Sequence, residues 1–486
     1  MARFQDLSTE LVLGILEKVL PGDIESVSLT SKSIYWLAIP RLEEHRRLRK
    51  QYTSFQDWVA NNPPNWRDTG GHLADLLCEI MTDARIGHYV KLMDLNLRYD
   101  SPRKGWKPDA VYEKRITRSR TRLQQDSKTS MEIIEEAIRA TELIPTEEVD
   151  DWLDQIRSGN EDPLAALLLL HVPNLHTLRF MDCHTYWAES SYLLKMIQRV
   201  GEQGSAVKPY LSQLKNVAII YGQRIEKLDF VKAFMSLPFL TSIETHSLTV
   251  DGRAHEANSA ILPQPSNVKE LSFRSGLVSE QALSELLGGV KTLKSFAYDF
   301  TQLWPDENEP TFDCITVMKS LEANASHTLE HLRLSARDID QSGLAPLRGF
   351  HALRGVEFHT GPCWAVEASN GATLIGALPA SIESLDMRWV DVTSDEKLRE
   401  AFVGLVRESK TQLPHLRTLR VSTAHHEQSD TLFDCLASNE TAQLNKMLSF
   451  DIQGPYDGGA IPAWVDRICT CGILSQNLRS TLELKR

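Results

Sequence analysis

Residues 329–334 read Leu329-Glu330-His331-Leu332-Arg333-Leu334, and residues 416–421 read Leu416-Arg417-Thr418-Leu419-Arg420-Val421. Both strings carry apolar side chains at their first, fourth and sixth positions and an arginine at the fifth. Alternation over the last three positions is the period of a strand with one covered face and one open face. A parallel strand buried on both faces reads instead as an unbroken apolar run. These strings therefore point to a sheet whose second face meets water.

The same spacing recurs from residue 175 onward. It appears as Leu175-Leu178-Phe180, Leu214-Val217-Ile219, Val268-Leu271-Phe273, Leu293-Phe296-Tyr298, Leu353-Val356-Phe358 and Ile382-Leu385-Met387. Weaker copies are Leu240-Ile243-Thr245 and Met447-Phe450-Ile452, and successive first positions stand 24 to 39 residues apart. Helical patterns lie between them, over 191–200, 230–237, 280–287, 315–323 and 396–406. Each unit is thus one strand plus one helix. A closed eight-stranded barrel and an open repeat array both use such units. Arg179, Arg333, Glu357, Asp386 and Arg420 sit between the last two apolar positions of their copies. A covered strand would bury those charges, so the open array is expected.

This pattern resembles the leucine-rich-repeat family over residues 166–455. The resemblance implies an α/β solenoid: an open horseshoe with a parallel concave sheet and helices on the convex side. The family's Asn or Cys after the strand is met by Cys183, while Gly222, Gly276 and Gly361 take that place in other copies.

Composition bounds the rest. The chain has 486 residues, 42% hydrophobic and 24% charged, with a formal net charge of −12. Those values are ordinary for a globular protein and exclude fibrous and wholly disordered classes. The acidic balance argues against a nucleic-acid binder, which needs a basic footprint. Leu164–Leu170 is the longest apolar run, and its seven residues fall well short of the ~20 that span a bilayer. The seven scattered cysteines do not read as a disulfide framework, so an intracellular, reduced setting is expected, nucleus or cytoplasm undecided. Residues 51–165 read as a charged helical connector. Its basic block, 103–122, carries eight Lys or Arg and its acidic block, 132–162, eleven acids. A solvated linker folded loosely by their mutual attraction is the plainer reading, and a nuclear-localisation or phosphate-binding patch the sharper one. Val149, Trp152, Leu153 and Ile156 form a single helical stripe there, with Thr146 as its expected N-cap. Residues 456–486 are expected to be a cap or tail.

Residues 7–38 fit three short helices. Leu11, Ile15, Leu16 and Val19 form the first stripe, and Pro21-Gly22 end it. Asp23 can cap a helix carrying Ile24 and Val27, and Thr30 or Ser31 can open a third with Ile34, Leu37 and Ala38. So small a module cannot bury its apolar surface alone. The string resembles an F-box, matching at Leu7, Glu10, Leu11, Ile15, Leu16, Leu20, Asp23, Ile24, Val27, Leu29, Ser31 and Lys32. Ser8 stands where the family has Pro and Ile34 where it has Trp, with Tyr35 and Trp36 following directly.

The combined resemblance is to F-box/leucine-rich-repeat proteins. It implies that residues 1–50 dock on a Skp-type adaptor, and through it on a cullin and a RING subunit. The repeats would then hold a protein substrate for ubiquitin transfer. The implied adaptor contacts are Leu7, Glu10, Leu11, Ile15, Leu16, Leu20, Ile24, Val27, Leu29, Lys32, Ile34 and Tyr35. The alternative is a repeat scaffold whose N-terminal helices only cap the solenoid.

No catalytic group, metal site or cofactor is expected. Cys469 and Cys471 are too closely spaced for a zinc pair, and no phosphate loop, nucleophile elbow or His-Glu-x-x-His is present. Candidate substrate contacts flank the apolar strand positions: Arg179, Arg274, Arg333, His359, Arg388 and Arg420. Such flanking positions carry five arginines, six acids and no lysine. Arginine's planar fork suits carboxylate or phosphate, so Arg333, Arg388 and Arg420 are candidates for a pocket for an acidic or phosphorylated segment. Cross-strand pairing with Glu357 and Asp386 is the competing expectation.

Overall fold

The computed structural model describes residues 7–56, 73–97, 127–182, 191–203, 210–221, 228–250, 265–300, 314–336, 347–359, 374–390, 405, 411–423 and 449–453. Cys183, Gly222, Gly361, the basic block, most of the helix expected at 396–406 and the tail from 456 lie outside them. The chain forms two compact units, Met1–Ser247 with Leu262–Asn267, and Leu248–Ile261 with Val268–Arg486.

The first unit opens with helices α1 (Thr9–Lys18), α2 (Ile24–Ser28) and α3 (Lys32–Tyr52). Ser8 caps α1 by accepting the Leu11 amide hydrogen at 3.4 Å, and Ser31 caps α3 by accepting that of Ile34 at 3.2 Å. Asp23 holds the N-cap position of α2 but makes no side-chain cap bond, because its backbone is already helical. Strand β1 (Ser54–Gln56), helices α4 (Leu73–Thr82) and α5 (Arg85–Tyr89) and strand β2 (Leu92–Leu97) follow. Then come α6 (Ser127–Arg139), α7 (Val149–Ser158), α8 (Asp162–Leu170), β3 (Thr177–Asp182), α9 (Tyr192–Gln203), β4 (Asn216–Tyr221), α10 (Asp229–Met235) and β5 (Ser242–His246). The five strands are parallel and lie in chain order.

The sheet therefore starts at Ser54, ahead of the first repeat read from the sequence. Val90, just before β2, and Met93 and Leu95 on it are buried with the same spacing as the later copies. The acidic block is packed rather than loosely solvated. Val149, Trp152, Leu153 and Ile156 are all buried, as is every residue of α8. Such burial is worth about 1.5–3 kcal/mol per large apolar side chain. Thr146 begins a 3-10 turn, Thr146–Glu148, instead of capping α7 directly, and Gly159, at φ 92°, closes α7 in the left-handed region that favours glycine.

The second unit holds β6 (Thr249–Val250), β7 (Glu270–Arg274), β8 (Leu277–Val278), α11 (Glu280–Gly288), β9 (Ser295–Phe300), α12 (Cys314–Ala325) and β10 (His331–Ala336). It continues through β11 (Gly355–His359), α13 (Leu374–Ala377), β12 (Ser384–Val390), β13 (Thr418–Thr423) and β14 (Ser449–Gln453). Strands β7 and β9 to β14 form a parallel sheet in chain order, while β6 and β8 pair separately. The fourth positions of the repeat stand in one register, Leu271, Phe296, Leu332, Val356, Leu385, Leu419 and Phe450. The sixth positions form a second such line, in which Phe273 and Tyr298 have ring centroids 5.9 Å apart. Among the described residues, no helix is long and apolar enough to cross a membrane.

Candidate docking face and sheet surface

The α1–α3 module sorts its apolar side chains into two sets. Val12, Leu16, Ile24, Ile34, Ala38 and Leu42 form a buried cluster, with Leu7, Val19, Val27 and Leu37 packed against it. Leu11, Ile15, Leu20, Leu29, Tyr35 and Trp36 are exposed, Leu29 by 77% and Trp36 by 69%. Leu11 and Ile15 stand one helical turn apart on α1, and Val12 and Leu16 repeat that spacing one residue on, so the helix is apolar on two sides. Tyr35 and Trp36 meet edge to face, ring centroids 6.0 Å apart.

Of the residues expected to contact an adaptor, Leu11, Ile15, Leu20, Leu29 and Tyr35 lie on the exposed side. Leu16, Ile24 and Ile34 do not, being buried in the module's own core. Leu7 and Val27 are half-buried between the two, and Glu10 and Lys32 are exposed at the starts of α1 and α3. Hydrogen bonds from its own backbone amide and from Ser8 hold the Glu10 carboxyl below the usual carboxylate range. Trp36 is an exposed aromatic that the F-box match passes over; its place beside Tyr35, two residues after the missing Trp, was the available signal.

Helix α3 ties this module to α5. Arg41 pairs with Glu17 at 3.1 Å and with Glu44 at 2.9 Å, and Glu44 pairs with Arg85 at 3.2 Å. Arg85 also bonds Asp83 at 2.7 Å, which holds the Asp83 carboxyl low as it does that of Glu44. His45 is buried with Nδ1 2.9 Å from the Tyr89 hydroxyl and Nε2 3.6 Å from Glu25. Burial outweighs the nearby carboxylate and pushes the His45 pKa down.

On the sheets, the open face carries the fifth repeat positions. In the first unit Asp94, Arg179, Ala218 and Glu244 stand in one register line. In the second the line reads Ser272, Ala297, Arg333, Glu357, Asp386, Arg420 and Asp451. Arg333 lies 3.8 Å from Glu357. Two carboxylates thus stand between Arg333 and Arg420, so these arginines do not meet directly. Arg388 is two residues beyond Asp386, in register with His359; the side chains of both lie outside the described residues. Arg274 stands in register with Asp299.

Among the described residues no three His, Cys, Asp or Glu converge as metal ligands. No protein-family model matches the chain, and no curated protein matches its sequence.

Proposed function

We propose that this chain is the non-catalytic substrate receptor of a cullin–RING ubiquitin ligase, with the α1–α3 module as an F-box and the repeats as a leucine-rich-repeat horseshoe. The observation that carries this reading is the exposed apolar side of α1–α3. Residues 7–42 hold a core of their own and still present Leu11, Ile15, Leu20, Leu29, Tyr35 and Trp36 to water. Large apolar side chains exposed in such number on so short a stretch mark a protein-binding site, where aromatic anchors such as Tyr35 and Trp36 supply much of the affinity. A Skp-type adaptor is the partner that the F-box resemblance implies. The mixed-charge faces of the two sheets are the substrate surface in this reading. The chain then contributes proximity, and the chemistry belongs to the assembled ligase.

The rival reading, helices that only cap the solenoid, draws on the α3–α5 ion pairs. It leaves the exposed apolar side without a use. The test is whether the chain bridges two partners. Chain, Skp-type adaptor and cullin N-terminal domain are mixed and resolved by size-exclusion chromatography. A single peak holding all three is expected; adaptor and cullin eluting together without the chain would contradict the proposal.

A further inference from the structure

Helix α3 continues to Tyr52, well past Leu42, the last of its side chains in the module's own core. Its inner side is one face throughout: Ile34, Ala38, Leu42, His45 and Leu48 are buried at steps of three or four residues. The opposite side follows the same steps through Trp36, Ile39, Glu43, Arg46 and Lys50, with Tyr35 and Arg47 beside them. All of these are exposed except Ile39, which is half-buried. At 1.5 Å per residue the outward face runs about 21 Å from Trp36 to Lys50. Its first half is aromatic and apolar, and its second half is basic.

Residues 46–50 place four cations in five positions, Arg46, Arg47, Arg49 and Lys50, on a chain of net charge −12. Among the described residues no other five-residue stretch holds as many Lys and Arg. Arg49 turns to α2, where Glu25 holds it at 3.1 Å. Arg47 donates to the Gln51 side chain at 3.5 Å. Glu43 stands one turn before Arg46 and Arg47, yet among the described residues no carboxylate lies within ion-pair distance of Arg46, Arg47 or Lys50. The helix dipole favours cations in the last turn, which accounts for Arg49 and Lys50 but does not reach Arg46 and Arg47. Lys269 and Arg417 are also exposed without an ion pair, but each stands singly, ahead of a different strand.

We infer, resting on the proposed docking of α1–α3, that the partner covering its apolar side also carries an acidic segment that lies along the second half of α3, against Arg46, Arg47 and Lys50. The basic half continues the face that presents Tyr35 and Trp36, so a partner seated on the aromatic pair reaches it along the same helix. Apolar anchors flanked by a charged rim are the usual build of a protein interface, and the rim charges select and steer the partner. Arg46 offers a planar fork to a carboxylate, and Lys50 offers a second charge one turn on. Acids three or four residues apart on a helix, about 5–6 Å between their Cβ atoms, match that spacing. A nucleic acid fits less well, since so short a basic stretch on an acidic chain is a small footprint. A lipid surface also fits less well, because the apolar side of α3 is buried within the protein.

The test titrates a purified Skp-type adaptor into the full chain, into Arg46→Glu/Lys50→Glu and into Lys269→Glu/Arg417→Glu, at low and at physiological salt. The two variants change the net charge equally. The α3 variant should bind at least about tenfold more weakly at low salt, with the gap narrowing as salt rises, and the other variant should bind as the parent does. Thermal melts establish that both variants are folded, and Arg46→Gln/Lys50→Gln is the milder substitute if the first pair is not. Undiminished binding by the α3 variant overturns this inference and leaves the docking of α1–α3 standing. Equal loss in both variants also overturns it, as an effect of net charge alone. No binding by the parent overturns both. Capture of the parent but not of the α3 variant on phosphatidylserine vesicles, with equal adaptor affinity in the two, overturns it in favour of a lipid surface.

Discussion

Asp162, the first residue of α8, caps a helix that begins thirty residues later: its carboxylate accepts the Tyr192 amide hydrogen at 2.5 Å. It also accepts from the Leu193 amide and the Ser191 hydroxyl, each at 3.3 Å. The side chain is 1% exposed. A buried carboxylate at a helix start satisfies amides that have no partner within the helix, and it complements the helix dipole. The same junction is held by Trp152 edge-on to Tyr192 at 4.9 Å and by Arg199 on Glu148 at 2.5 Å.

Asp162→Ala leaves these buried donors without an acceptor and should cost about 2–4 kcal/mol. Urea denaturation measures it. Asp162→Asn, which keeps one acceptor oxygen, should lose less than the alanine variant.

Thr245 predicts the opposite sign. It holds the sixth repeat position, taken by Phe180, Ile219, Phe273 and Tyr298 in other copies, and it is fully buried. Among the described residues its hydroxyl has no hydrogen-bond partner. Thr245→Val keeps the shape and removes the unpaired group, so it should stabilise by about 1 kcal/mol in the same experiment.

Gly87, on α5, is fixed by close approach. A Cβ there would stand 2.1 Å from the His171 carbonyl oxygen, which is backbone and cannot turn aside. Gly87→Ala should therefore force α5 away from the turn before β3, at a cost of about 1–3 kcal/mol. A lowered thermal midpoint with unchanged helical circular dichroism at low temperature is the expected observation.

His45 couples this region to pH. Its folded pKa lies below its usual value, so the folded state prefers the neutral ring, faced by Glu25, Tyr89, Arg49 and Arg46. That preference stabilises fully above the unfolded pKa of about 6.5 and is lost as pH falls through the lower folded value. Glu44 and Asp83, also depressed, lose their contribution at still lower pH, near and below the carboxylate range. Melting midpoints of the parent should fall between pH 7 and pH 5 by more than those of His45→Gln.

The strands were legible because each alternates over three positions and turns its apolar side chains to one face. Val90, just before β2, and Met93 and Leu95 on it obey the same rule, but the next copy stands 85 residues on, at Leu175, far outside the 24 to 39 residues that separate the others. On α1 the sequence shows apolar residues on two sides, and spacing alone cannot say which side the module's own core claims. Leu16 went inward and Leu11 outward because α2 and α3 cover only one of them. The Asp162 cap joins residues thirty positions apart and leaves no local signature.

The central claim is that the exposed side of α1–α3 is the docking face for a Skp-type adaptor. The direct measurement is calorimetric titration of the adaptor into the parent chain and into Leu11→Ala/Leu29→Ala/Trp36→Ala. These side chains are exposed, so the variant should fold as the parent does. The account predicts a complex of micromolar affinity or better in the parent and a loss of at least about a hundredfold in the variant, since each anchor of this kind contributes 1 kcal/mol or more. Equal affinity in both, or no binding by the parent, would contradict it.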